Sequence, residues 1–318
     1  MTALATHAMP PDRAVARQSL LYIFRERTVA LLAALFVVLV MVSAYLGWSA
    51  TSTVNSIYND AVVYLTAQGQ PIPPNPVHDI SPLSLMRNMS IYVSLIGALA
   101  AIVIGYQLIA ADRKSGVVPL IGARPLERGE YLRGKIAALL AANGALMSVA
   151  AVIATATFLI LPQVSLSAAG WGKLLLFFVL AYGYMVMFGL LALGTAARTK
   201  SESVGLLVPV TAWLTVTFIL PSLTGNIHPT AAINPISALA PPPDTTFFHW
   251  TGWLIGPFSV AESFKWLSAD LLDYLPATAV TGSMVPPLPD FLLALILAAA
   301  FAVHSVGVMD FTRGDYDV

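Results

Sequence analysis

VALLAALFVVLVMVSAYLGW, residues 29–48, holds no charged side chain in twenty positions. Wound as an α-helix at 1.5 Å per residue, it covers about 30 Å, the hydrocarbon thickness of a bilayer. Five further stretches share its character: Ile91 to Ala111, Ile136 to Leu161, Leu174 to Ala197, Val204 to Leu220 and Phe291 to Met309. None shows the alternating ten-residue pattern of an outer-membrane strand. Of 318 residues, 58% are hydrophobic and only 10% charged, too few charges to clothe a water-exposed surface. The sequence predicts an all-α, multi-pass membrane protein with six transmembrane helices.

Composition removes several function classes. With no cysteine, there is no disulfide scaffold, thiol nucleophile or cysteine-ligated metal. A net charge of zero supplies no field for nucleic acid. The charged segment 1–28 is too long for the n-region of a removable signal peptide, although Val42-Ser43-Ala44 imitates a cleavage site. Basic residues set the orientation, because cytoplasmic flanks collect Lys and Arg. Placing the N-terminus inside puts Arg13, Arg17, Arg25, Arg27, Arg113, Lys114, Arg124, Arg128, Arg133, Lys135, Arg198, Lys200 and Arg313 inside, and leaves Arg87, Lys173 and Lys265 outside. Both termini are expected in the cytoplasm, in a bacterial inner membrane.

The segments between spans read as follows. Ala14 to Thr28 is expected to be an N-terminal helix lying in the inner interface, with Arg17 snorkelling to the headgroups. Prolines 71, 73, 74 and 76 predict an extended strap between the first two spans. Residues 221–290 form an extracytoplasmic segment before the last span, where Ser259-Val260-Ala261-Glu262 reads as a capping box opening a helix that stops before Pro276. Val260, Phe264, Leu267, Leu271 and Leu275 repeat at helical spacing, while Glu262, Lys265 and Asp273 lie elsewhere on the wheel. Trp250, Trp253 and Trp266 add rings suited to a membrane boundary. The expected element is an interfacial or re-entrant lid, with Ser259, Glu262, Phe264, Trp266 and Leu271 as its candidate residues; simple shielding of span ends is the competing reading.

Within the spans, Gly97, Ala101 and Gly105 recur every fourth residue, the spacing that lets helices approach closely. Pro209 removes a backbone donor and should kink the fifth span, which membrane helices tolerate when neighbours satisfy the freed carbonyl. Gln107, Asn143 and His304 are the polar residues inside spans and, with Pro209, the candidates for a pathway. No Asp, Glu, Lys or Arg lies deep in a span, which argues against a proton relay or sodium-coupled antiport. Gly129 to Lys135 spells GxxxxGK, but Ile136 stands where a phosphate loop needs Ser or Thr, so nucleotide binding is not expected there. His7, His78, His228, His249 and His304 lack ligand spacing, and no hydrolase or metalloprotease motif occurs. No catalytic, cofactor or metal site is expected in this chain.

The second-to-third connection is the most informative segment: ADRKSGVVPLIGARPLERGEYLRGK, residues 111–135. It resembles the signature of the ABC type-2 permease family in Asp112, Ser115, Gly116, Leu120, Pro125, Arg128, Leu132, Gly134 and Lys135. It departs at Val117, where threonine is usual, and at Lys114, where an acidic residue is common. The six-span topology and Asn234-Pro235 are also similar to that family, nearest to type V exporter permeases, including the one serving nitrous-oxide reductase maturation. The resemblance implies a homodimeric permease driven by separate cytosolic ATP-binding cassette subunits, which would hold the ATP and magnesium. It implies an ATPase-coupling loop over 112–135, with Arg113, Lys114, Arg124 and Arg128 as ionic contacts and Gly116 and Pro125 as turns. Lipid and a periplasmic accessory protein are further expected partners. The alternatives are a stand-alone secondary transporter or channel, and a membrane scaffold for periplasmic maturation factors.

Overall fold

The computed structural model describes residues 9–75, 81–123, 126–160, 166–224, 245–275 and 287–311. Its helices in chain order are α1 (Pro11–Arg25), α2 (Arg27–Ala67), α3 (Pro82–Lys114), α4 (Val118–Gly122), α5 (Arg128–Ile160), α6 (Ala168–Arg198), α7 (Glu202–Thr224), α8 (Thr246–Ile255), α9 (Val260–Leu271) and α10 (Leu288–Gly307). Six of them, α2, α3, α5, α6, α7 and α10, are long and apolar enough to cross a membrane. No strand occurs among the described residues. This is an all-α multi-pass membrane protein.

The centre of the bundle is the pair α3 and α6. Of their most apolar windows, 78% and 67% are buried within the chain, against 22–33% in the other four spans. Glycine explains the closeness. A methyl placed on Gly105 would stand 2.0 Å from the Gly189 carbonyl oxygen, so the two backbones touch where neither carries a side chain. Gly97 faces Met185 of α6 and Phe36 of α2. The small-residue spacing in the second span is therefore a packing seam.

Two spans depart from regular α-helix, and in each the displaced backbone groups find partners. In α7, Pro209 leaves the Gly205 carbonyl without its helical donor; the Thr195 hydroxyl of α6 donates to it at 3.1 Å. Wider π turns occur at Val93–Gly97 of α3 and Thr215–Ile219 of α7. The Trp213 indole donates to the Ser94 carbonyl across these spans at 3.0 Å.

Helix ends overrun the expected spans. α2 continues through Ala67 and is roughly 60 Å long, about twice the hydrocarbon thickness, and α3 starts at Pro82 instead of Ile91. The C-terminal half of α2 is mostly exposed, and residues 73–75 of the proline strap fold back along it. The Tyr58 hydroxyl donates to the Pro73 carbonyl at 2.9 Å, and the Asn75 amide donates to the Asn55 side-chain oxygen at 3.1 Å. These two bonds hold the described end of the expected strap against α2.

α1, α4, the start of α5 and the segment after α10 gather at one end of the bundle, which we call the basic end. α8 and α9 lie at the far end.

Candidate functional site

At the basic end α3 stops in a glycine turn. Gly116 has φ +65, its N–H donates to the Arg113 carbonyl at 3.0 Å, and the Val117 N–H reaches back to Asp112 at 3.2 Å. Those two bonds make a Schellman cap, which an L side chain would adopt only with strain. The chain then makes the short helix α4, whose Val118 is buried while Leu120 stays 64% exposed beside exposed Pro119. Between α4, the start of α5 and Asp310-Phe311 lies a cleft of 440 Å³, with Gly122, Leu126 and Tyr131 in its walls.

The cations around α4 are turned toward their own chain. Arg113 donates through one guanidinium nitrogen to the Ala197 carbonyl at 2.8 Å and through the other to the Thr199 carbonyl, so it closes the C-terminal end of α6. Lys114 pairs with Glu202 at the start of α7. Arg128 donates to the Gly307 carbonyl at 3.1 Å, closing α10, and lies over the Phe311 ring. Helix C-termini carry partial negative charge and unpaired carbonyls, which planar guanidinium groups suit. Arg113, Lys114 and Arg128, expected as ionic contacts to a partner, thus each have a partner within their own chain. Arg124 and Pro125 lie outside the described residues.

Asp112, Gly134 and Lys135 are likewise internal. Lys135, with 3% of its side chain exposed, pairs with Asp112 at 2.7 Å and donates to the Ser19 hydroxyl of α1 at 3.0 Å. The Tyr131 hydroxyl donates to the same Asp112 oxygen at 2.8 Å. A buried ammonium keeps its charge only when desolvation is offset by such partners. Gly134 lies directly under α1, since a methyl there would meet the Asp12 carbonyl and Val15 at 2.7 Å. The Gly-Lys pair thus clamps the N-terminal helix onto the third span, and GxxxxGK occupies the start of α5 with its lysine turned inward.

At the far end the two helices divide the expected lid. α8 shows Phe247, Trp250, Trp253 and Leu254 to the surroundings. α9 is instead a plug, packed among α3, α6, α7 and α10, with Phe264 stacked on Tyr184 at 4.4 Å between ring centroids. The capping box does not form. The Ser259 side chain makes no cap bond, and the Glu262 carboxylate accepts from Thr224 of α7 at 2.7 Å. Tertiary packing outcompetes the local cap here. Lys265, expected on a polar face, is 1% exposed. Burial pushes its pKa down to about 8 against the opposing pull of Glu262. Trp266 and Leu271 are half-buried. Beyond α9, Asp273 pairs with Lys173 of α6 and accepts from Ser81 at 3.0 Å, and the Tyr274 and Ser90 hydroxyls meet at 3.0 Å.

A model of the ABC-2 family transporter proteins matches residues 13–315, nearly the whole chain. The chain belongs to the ABC-2 transporter family. Among curated proteins none matches it. ABC-2 permeases are membrane transport components that typically pair with an ATP-binding cassette ATPase.

The polar residues of this ABC-2 permease do not converge. Asn143 is fully buried between α5 and α6, its amide donating to Leu139 at 3.1 Å. His304 is exposed on α10, and Pro209 is buried in α7. Gln107 lines a cavity of 260 Å³ together with Gln18, Tyr22, Asp112 and Lys135. His249 lies on α8, while His7, His78, His228 and Asn234-Pro235 fall outside the described residues. No group of three metal-ligating side chains occurs among the described residues. Sequence reasoning missed Ser19, Tyr131, Glu202 and Phe311. Tyr131 had a signal, since it stands one helical turn before Lys135 and shares its face; the others meet the site only through the fold.

Proposed function

We propose that this chain is the transmembrane subunit of an ATP-driven exporter, with the basic end in the cytoplasm of a bacterial inner membrane. It works as a homodimer, and a separate ATPase, which holds the ATP and magnesium, docks on the coupling segment 112–135. The observation that carries this reading is α4: a short helix presenting Pro119 and Leu120 outward, surrounded by cations already committed to their own chain. The contact offered to a motor is therefore largely apolar. Force applied to α4 passes through the Gly116 turn into α3. Arg113 and Lys114 carry it to α6 and α7, and Arg128 carries it from α5 to α10. A path between copies of α3 and α7 would respond, with α9 closing its outer mouth. A periplasmic accessory protein fits the long outer half of α2.

Purification from mild detergent is expected to bring down an ATPase subunit, and Leu120→Glu to release it while the permease still elutes as a folded species. A single cysteine at Ser115 should react with a membrane-impermeant maleimide in inverted vesicles only. Full transport by the chain without an ATPase, or labelling from the opposite face, would overturn the proposal.

A further inference from the structure

The inward stripe of α1, Val15, Ser19 and Ile23, is spent on packing, and Gly134 sits directly under its first turns. The opposite side carries Arg13, Arg17, Leu21, Phe24 and Arg25, all exposed. Leu21 and Phe24 keep 48% and 64% of their surface. Arg17 and Arg25 stand just over two turns apart and flank a shallow, open cleft whose lining is Met9 and the α1 residues Ala14, Gln18, Leu21 and Tyr22. Among the described residues, neither guanidinium has a hydrogen bond or ion pair. This contrasts with Arg113 and Arg128, each of which closes a helix end.

Two unspent guanidinium forks beside exposed apolar side chains, on a helix that lies at the end of a membrane bundle, match one chemistry. The forks suit phosphate oxygens, and Leu21 and Phe24 suit the first methylenes of acyl chains. Charge selects the headgroup. Between Pro11 and Arg27 there are four arginines and only two carboxylates, and Glu26 already accepts from Tyr22 at 3.4 Å and from Thr28 at 3.3 Å. The excess of two arginines favours a headgroup that brings no cation of its own.

We propose that α1 holds the headgroup phosphate of an anionic phospholipid between Arg17 and Arg25. The cleft shares Gln18 and Tyr22 with the cavity that reaches Asp112 and Lys135, so the lipid sits one helix away from the clamp that joins α1, α3 and α5.

The test uses the full chain in neutral detergent, with phosphatidylglycerol or phosphatidylcholine added and bound lipid counted by native mass spectrometry. One phosphatidylglycerol per chain should be retained in preference to phosphatidylcholine. Arg17→Gln with Arg25→Gln should weaken retention on the order of thirtyfold, the effect of two juxtamembrane cations. Arg13→Gln with Arg27→Gln, outside the cleft, should leave it intact. If the first double variant aggregates, Arg17→Gln alone must still weaken retention by about fivefold. Undiminished binding in the cleft variants, equal loss in both double variants, equal retention of the two lipids, or displacement by millimolar inorganic phosphate would each overturn the proposal.

Discussion

At the basic end of the bundle, side chains of one helix reach the open carbonyls of the next; at the far end, rings and small side chains wedge a whole helix between its neighbours. At this end Arg113 ties α3 to two carbonyls at the end of α6, and Arg128 ties α5 to one of α10, through side chains that water can reach. α9 instead meets four elements at once, through Phe264, Ala261 and Ala269. Charge-assisted hydrogen bonds break and re-form at modest net cost, whereas a packed wedge moves only as a block. The difference teaches where a force can enter and where it must be resisted. The basic end can change its pairings, and the far end can only shift as a unit.

Substitutions at five positions would break or sharpen that contrast. The largest effect is expected from Asp112→Ala, which strands the buried Lys135 ammonium. Removing one partner of a buried pair costs about 3–5 kcal/mol, and adding Lys135→Met should recover most of it. Thermal unfolding in detergent reads both. If the single variant melts like the parent chain, the clamp is not what holds the basic end.

Lys265 tests the far end through pH. Its folded pKa of about 8 lies below the ordinary 10.5, so between those values the unfolded chain holds a proton that the folded chain has released. The destabilisation is therefore fully present below pH 8, and stability rises as pH climbs from about 8 toward 10.5. Hydrogen exchange of α9 amides, corrected for the intrinsic pH dependence of exchange, should show protection growing over that window. Lys265→Met should flatten the profile and stabilise the chain by roughly 1–3 kcal/mol. A flat parent profile would show the lysine to be compensated in every state.

The smallest effects separate two neighbouring cations. Arg113→Lys keeps the charge but loses the planar fork that reaches two carbonyls at once, and should lower stability by about 1 kcal/mol. Lys114→Ala removes a pair whose side chains are 45% and 48% exposed, and should change melting by no more than about 0.5 kcal/mol. Equal losses would mean that the basic end is held by charge alone and not by directed caps.

The six spans were legible because apolar length is a local property, and so was the Gly116 turn, where one residue type is demanded by a left-handed backbone. The role of Gly97 and Gly105 was legible too, as their spacing already marks a close approach. The charges were not. Arg113 and Arg128 read as cations awaiting a partner protein, and nothing local to residues 111–135 shows that Ala197, Thr199 and Gly307 come within reach. The capping box failed for a related reason: Glu262 had a choice between a backbone N–H beside it and a threonine on another helix, and only packing decides that competition.

By itself, the sequence determined that this is a multi-pass membrane protein with six helices long and apolar enough to cross a bilayer, because a bilayer reads hydrophobic length one segment at a time. Tertiary structure alone decided what each charge is for. A cation's worth depends on which carbonyl or carboxylate the fold brings within about 3 Å of it, and residues separated by many tens of positions supply those partners.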